Sequence, residues 1–278
     1  MIRKGYVDTR DGQLHFRRCE DGSEAPLALF HMTAASSEAY EGLMHLLDGR
    51  QPMIAFDTMN YGESYRTTRE PSVPYMAEMM LEALSNLGIE RFHTFGHHTG
   101  ASIQAEMAVQ APDRVLSAIM SGPTFARPEE MALFKDVLAV PNPISVKGTQ
   151  FITAWSRIKD HMGRATYFGS TPRIAEIMHR DTTDMLRAGG NWNWGYQAVF
   201  THDLVATMQR MRCPLFFVCG RDDIAFPYHE RAVAAYPDAA VYVHDQSGVY
   251  YSESHAEDLA PRIEAFIRSL KSSSLAAC

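Results

Sequence analysis

Arg91-Phe92-His93-Thr94-Phe95-Gly96-His97-His98-Thr99-Gly100-Ala101-Ser102-Ile103 is the stretch on which the reading of the chain turns. Its first half predicts a short strand rich in aromatic residues. Its second half opens a helix of small residues, Ala101, Ser102, Ala105 and Ala108, that Pro112 ends. Gly96 and Gly100 bracket the bend. A tight turn from strand to helix strains the backbone and brings the helix down close to the sheet, and a residue without Cβ on either side of the apex meets both demands. The apex is His98.

Outward from this turn, apolar strands alternate with amphipathic helices. Asp11-Gly12 supplies a hairpin turn between strands at Gly5 to Asp8 and Gln13 to Arg18. Pro26 to His31, Pro52 to Asp57, Val115 to Met120 and Pro214 to Cys219 are short continuous apolar runs, the pattern of strands buried on both faces of a parallel sheet. Ser36-Ser37 starts a helix that runs to Leu47. Met76, Met80, Ala83, Leu84 and Leu87 recur at helical spacing between Pro74 and Gly88, a methionine-rich face read as core packing. Ala240 to His244 is the last strand. A helix carrying Leu259, Ile263, Phe266, Ile267 and Leu270 closes the chain, with Ser254 and Glu257 as a candidate capping box ahead of Pro261. The alternation predicts an α/β protein with a mostly parallel sheet of about eight strands.

Between Pro123 and Met211 the alternation stops. Arg127-Pro128-Glu129-Glu130 opens helical sequence dense in aromatics: Phe134, Phe151, Trp155, Tyr167, Phe168, Trp192, Trp194, Tyr196 and Phe200. The expected organisation is therefore a core domain from 1–123 and 212–278, interrupted by a helical cap subdomain over 124–211. The cap would cover the end of the sheet, with Trp155, Trp192 and Trp194 as candidates for the roof of a pocket.

Composition narrows the function. The 278 residues are 46% hydrophobic and 21% charged, with a formal net charge of -7 that argues against nucleic acid as a partner. No apolar run approaches the roughly 20 residues of a membrane span, and Met1 to Gly5 leads directly into strand sequence with no apolar signal core, so a cytoplasmic location is expected. Cys19, Cys213, Cys219 and Cys278 show no metal-ligand spacing and are expected to be reduced bystanders. Neither a metal nor an organic cofactor is implied, since the histidines show no H-x-x-x-H pair on a helix with a third ligand and no G-x-G-x-x-G follows a strand. Oligomeric state is left open.

Gly96-His97-His98-Thr99-Gly100 resembles the nucleophile elbow of the α/β-hydrolase fold family, G-x-S-x-G, with the serine exchanged for histidine. The resemblance extends over nearly the whole chain. Gly220-Arg221-Asp222-Asp223-Ile224-Ala225-Phe226-Pro227 is similar to the family's acid loop and puts the acid at Asp223. The family places its triad histidine directly after a glycine in the loop following the last strand; here Gly248 is followed by Val249, and His244 and His255 lie off that slot. An ordinary serine mechanism has lost both nucleophile and base. The physical alternative is that His98, longer than serine by a whole ring, reaches into the space Val249 leaves and pairs with Asp223. That pairing would fix its tautomer and leave one ring nitrogen to take a proton.

The resemblance also implies an oxyanion site. His31-Met32-Thr33 stands where the family has His-Gly-x, so the donors would be the amides of Thr33 and Thr99, with Met32 beside the pocket and His31 and His97 as its further neighbours. Asp57 to Ser64 resembles a family turn and is read as structural. Three functions remain open. One is a hydrolase of a small apolar or aromatic substrate, in which His98 activates water or attacks directly. Another is a lyase or isomerase, in which His98 takes a proton while the oxyanion site holds an enolate. The third is a non-catalytic small-ligand-binding protein.

Overall fold

The computed structural model describes residues 1–19, 24–163 and 172–276. Strands β1 (Arg3–Thr9) and β2 (Gly12–Cys19) form the expected hairpin, with Thr9 opposite Gly12. Then follow β3 (Leu27–Phe30), β4 (Met53–Phe56), β5 (Phe92–His97), β6 (Val115–Ser121), β7 (Leu215–Gly220) and β8 (Ala240–His244). They make one eight-stranded sheet in the order β1-β2-β4-β3-β5-β6-β7-β8, parallel from β4 to β8 and antiparallel at the β1 and β2 edge. This is the α/β-hydrolase fold.

Alternate residues of the apolar runs pack on opposite faces, which is why those runs are continuous. Ala28, Phe30, Ile54 and Phe56 pack with Met76, Met79 and Met80 of α2 (Val73–Asn86) on one face. Leu27, Leu29, Met53 and Ala55 pack on the other with α1 (Glu41–Leu47). Ser36 caps the short 3-10 turn Ser37–Tyr40 that leads into α1. Helix α3 (Thr99–Gln110) follows β5 directly. Register pairs Phe30 with Gly96, Gly96 with Met120 and His97 with Ser121, so the carboxyl ends of β3, β5 and β6 finish in one row. A crevice at that edge is where open α/β sheets bind ligands.

Between β6 and β7 the described residues are helical: α4 (Pro128–Leu138), α5 (Thr149–Gly163), α6 (Pro172–Ala188), α7 (Trp194–Phe200) and α8 (Leu204–Met208). Tyr167 and Phe168 lie outside the described residues, as does Cys278, while Cys19, Cys213 and Cys219 are free thiols. A buried ionic cluster seats this insertion on the sheet layer. Arg180 of α6 meets Asp181, Asp184 and Glu253, Ser36 donates to Asp184, and Tyr250 donates to Asp181. Burial lifts the Asp184 carboxyl to about 6 and raises that of Glu253.

The chain closes with α9 (Phe226–Ala235), α10 (Tyr251–Ser254) and α11 (Ala256–Ala276). Ser254 does not cap α11, as its spacing to Glu257 suggested. It sits inside the preceding turn, its hydroxyl on the Tyr250 carbonyl and the His255 ring, and Pro261 lies within α11. The Asp57 to Ser64 turn is tied at Asp57, which accepts from the Ser37 amide and hydroxyl, from His15 and from the Glu63 amide. Burial would raise this carboxyl, yet those donors hold it well below its usual range. No helix among the described residues is long and apolar enough to cross a membrane.

Three buried imidazoles make the fold acid-sensitive. Burial pushes His93 and His229 down to about 4 and His97 to about 3. The unfolded chain protonates these rings near 6.5 and the folded chain does not. Their stabilising contribution is therefore complete above that value and is lost as pH falls, with a slope of about 1.4 kcal/mol per pH unit for each ring. Asp184 and Glu253, displaced upward, offset part of this below about pH 6. The denaturation midpoint measured by calorimetry is expected to fall between pH 7.5 and 5. A flat or rising midpoint would contradict the burial of neutral rings.

Candidate active site

The turn at the end of β5 is as tight as its glycines require. A Cβ on Gly96 would lie 2.3 Å from the Gly100 carbonyl oxygen, and one on Gly100 would lie 2.0 Å from that of Phe30. Helix α3 therefore rests on the sheet with no room for a side chain at either position. At the apex His98 has φ 47° and ψ -102°, a conformation that non-glycine residues rarely adopt. Strain of this kind persists only where the surroundings enforce it, and here it lifts the His98 side chain above the carboxyl edge of the sheet.

The His98 ring crosses the end of β6 and meets Asp223, which follows β7. Its Nε2 lies 2.9 Å from Oδ2 and 3.0 Å from Oδ1. A carboxylate only accepts, so Nε2 carries a proton, and in the neutral ring the lone pair is then on Nδ1. No residue described here engages Nδ1. Asp223 also accepts from the Ala225 amide at 2.8 Å. Burial acts to raise its carboxyl, but the facing His98 ring and the Ala225 amide outweigh burial and bring it below its usual value. His97 packs against the His98 ring at 4.3 Å between centroids. Its Nδ1 is 2.9 Å from the Ser121 hydroxyl, and burial keeps it neutral.

The ring's path depends on Gly122, which follows β6 with φ +54°. A Cβ there would stand 2.7 Å from His98 Nε2 and 3.0 Å from Asp223 Oδ2. Nothing in the local sequence of Ser121-Gly122-Pro123 announces this role. It arises only because a ring from the neighbouring strand passes over it.

His98 lines a cavity of about 270 Å³ together with Thr99, Met32 and Val249. The insertion contributes Met131, Phe134 and Leu138 from α4 and Tyr196, Val199 and Phe200 from α7. Tyr228 and Arg231 of α9 close the far side, Arg231 in an ion pair with Glu130. The expected tryptophans do not line this cavity. Trp155 is on the outer face of α5, 46% exposed. Trp192 is buried between these helices and the loops that carry Ala34 and Tyr61, under Arg157 and edge-on to Tyr196. Trp194 is half-buried at the start of α7. The spacing i, i+3, i+7 at Met131, Phe134 and Leu138, and i, i+3, i+4 at Tyr196, Val199 and Phe200, is the signal that identifies the inward faces.

His31 and His97 also lie outside the cavity, behind its floor. His31 Nδ1 donates to the Met32 carbonyl at 2.8 Å and Nε2 accepts from the Thr58 amide at 3.0 Å, so the ring pins the loop after β3. Thr33 is buried, its amide directed at the Thr99 hydroxyl (3.3 Å) and its own hydroxyl 2.8 Å from the same oxygen. The Thr99 amide belongs to the first turn of α3, where helical geometry leaves amides without an intrahelical partner. His244 and His255 stack on each other at 4.3 Å and on Tyr251, apart from the cavity. Among the described residues no group of three His, Cys, Asp or Glu side chains is placed to hold a metal ion.

An elbow with a strained apex at the carboxyl edge of a sheet, facing an acid after β7 and roofed by an insertion after β6, defines an α/β-hydrolase-fold site. The model of the alpha/beta hydrolase fold family matches residues 25–143, which supports membership of that family. Over 247 residues the chain is 24% identical to a proline iminopeptidase of Heyndrickxia coagulans, covering 82% of this chain and 85% of that protein. It superposes on a variant of the N-acyl homoserine lactonase AidH with a TM-score of 0.77 and 19% identity, covering 97% of this chain and 98% of the other. On the epoxide hydrolase VrEH1 of Vigna radiata the TM-score is 0.77 with 15% identity, covering 96% and 98%.

Gly122→Ala tests the geometry without needing a substrate. The added methyl group cannot coexist with the ring in its observed place, so the His98 to Asp223 hydrogen bond should be lost. Its slowly exchanging imidazole proton should vanish from the NMR spectrum, with a loss of about 1–3 kcal/mol in stability. A variant that keeps that resonance would show that Gly122 does not set the ring's path.

Proposed function

We propose that the chain is a cofactor-independent hydrolase of small, mostly apolar or aromatic carboxylic esters or related acyl compounds, with His98 oriented by Asp223 as its general base. One observation carries the reading: the His98 ring is held through Nε2 while Nδ1 has no partner among the described residues, beside a mostly apolar cavity. The names of the relatives, those of a peptidase, a lactonase and an epoxide hydrolase, favour cleavage by water over other proton-transfer chemistry. Nδ1 is flanked by the carbon that bears Cβ, which hinders it as a nucleophile but not as a base.

In this mechanism water is polarised by Nδ1, and its oxygen attacks the acyl carbon as its proton moves to the ring. Asp223 stabilises the imidazolium that forms. The oxyanion is received by the Thr99 amide, and by the Thr33 amide once substrate displaces the Thr99 hydroxyl from it. Collapse of the intermediate expels the alcohol, which takes the proton back from Nδ1, and the acid leaves with the base restored. The helices of residues 124–211 act as a cap, whose Phe134, Tyr196 and Phe200 hold the apolar part of the substrate. Tyr228 and Arg231 contact its polar end.

A panel of p-nitrophenyl and aryl esters provides the test. His98→Ala should lower turnover by roughly 10²- to 10⁴-fold, and Asp223→Asn should act in the same direction because it fixes the wrong tautomer. Fluorophosphonates should leave the protein unlabelled, since no serine stands at the apex. Full turnover in His98→Ala, or stoichiometric labelling of a cavity serine, would place the chemistry on other residues. His98→Ser alone should be inactive. His98→Ser with Val249→His should gain weak esterase activity, because the triad order would then be complete.

A further inference from the structure

We propose that the outer face of α4 and α5 is an interface at which two copies of this chain pair about a twofold axis. Most of the large apolar side chains exposed among the described residues belong to these segments. Leu133 and Val137 stand on the outer face of α4, exposed by 80% and 67%. Val140, Ile144 and Val146 follow on the connecting loop, and Phe151, Ile152 and Trp155 on the first turns of α5. Two polar contacts link these segments: Arg157 donates to the Leu138 carbonyl at 2.9 Å and Asn142 to that of Gln150 at 3.0 Å.

These eight residues, the least exposed of them at 46%, expose on the order of 1,000 Å² between them, at about 150–250 Å² for a large apolar residue fully in water. That exceeds the roughly 300–600 Å² of the largest patch on a typical monomer and meets the roughly 800 Å² that each partner gives to a standard interface. The charges around it identify the occupant. Lys135, Lys147 and Lys159 share these segments with Glu129 and Asp160, all exposed and none with an ion-pair partner among the described residues. A surface bearing both signs can meet its own copy with opposite charges facing, as an isologous contact requires. An anionic lipid surface calls for a basic rim, and the chain carries a net charge of -7.

Pairing also reaches the cavity. The inner face of α4 supplies Met131, Phe134 and Leu138 to the roof, so a copy packed on Leu133 and Val137 holds that roof from behind. Sedimentation velocity on the full chain over a micromolar range should show a species of twice 31.2 kDa. The emission of Trp155, compared with that of Trp155→Phe, should shift to the blue as the dimer forms. Val137→Asp and Phe151→Glu, made separately, should each weaken association by at least about 10-fold. A 31.2 kDa species at every concentration overturns the proposal. So does a dimer that both variants leave intact, or a monomer that sediments with phosphatidylcholine or phosphatidylserine vesicles through this face.

Discussion

A single imidazole has to span the width of a strand, and the arrangement around the site follows from that. Residue 98 follows β5 and Asp223 follows β7, with β6 between them, so their strands are separated by two spacings, roughly 9.6 Å. A serine hydroxyl at the apex would fall short of the acid by the length of the ring. The imidazole makes the crossing under three conditions: the backbone at 98 is held in its raised conformation, Gly122 leaves the end of β6 bare, and the place of a second histidine is taken by something compact. Val249, packed with Met32, satisfies the last. Gly96 and Gly100 satisfy the first by letting α3 press on the sheet.

The neighbouring histidine shows why the two rings in this motif are not equivalent. His97 ends the strand with its ring turned to Ser121 and sealed from solvent, where a positive charge would face both low polarity and the His98 ring. It therefore stays neutral and serves as a flat wall. His98, one residue on, borders the cavity and faces a carboxylate. One step along the backbone separates a packing element from an ionisable one.

How much of this could be read from the sequence varies with the range of the forces involved. The strands Leu27–Phe30, Met53–Phe56 and Leu215–Gly220 are legible because burial on both faces demands an unbroken apolar run. The elbow is legible because only glycine tolerates contacts as close as those at 96 and 100. The approach of His98 to Asp223 follows from the absence of a histidine after Gly248 together with ring length. The lining of the cavity was less legible. Tryptophan is the largest aromatic, but Trp192 packs on Ala34 and Tyr61 away from the cavity, and Phe134, Tyr196 and Phe200 face inward because of how α4 and α7 dock. Gly122 and Arg180 were silent for a similar reason, since each matters only to residues distant in the chain.

The insertion is attached unequally at its two sides. On the α6 side Arg180 is buried among three carboxylates, and withdrawing it would strand charges in a poorly solvated place at a cost of about 3–5 kcal/mol. On the α4 side the polar tie is the exposed Glu130 to Arg231 pair, of a kind worth about 0–1 kcal/mol. What holds α4 down is therefore less that ion pair than the apolar packing of Met131, Phe134 and Leu138 against the main core.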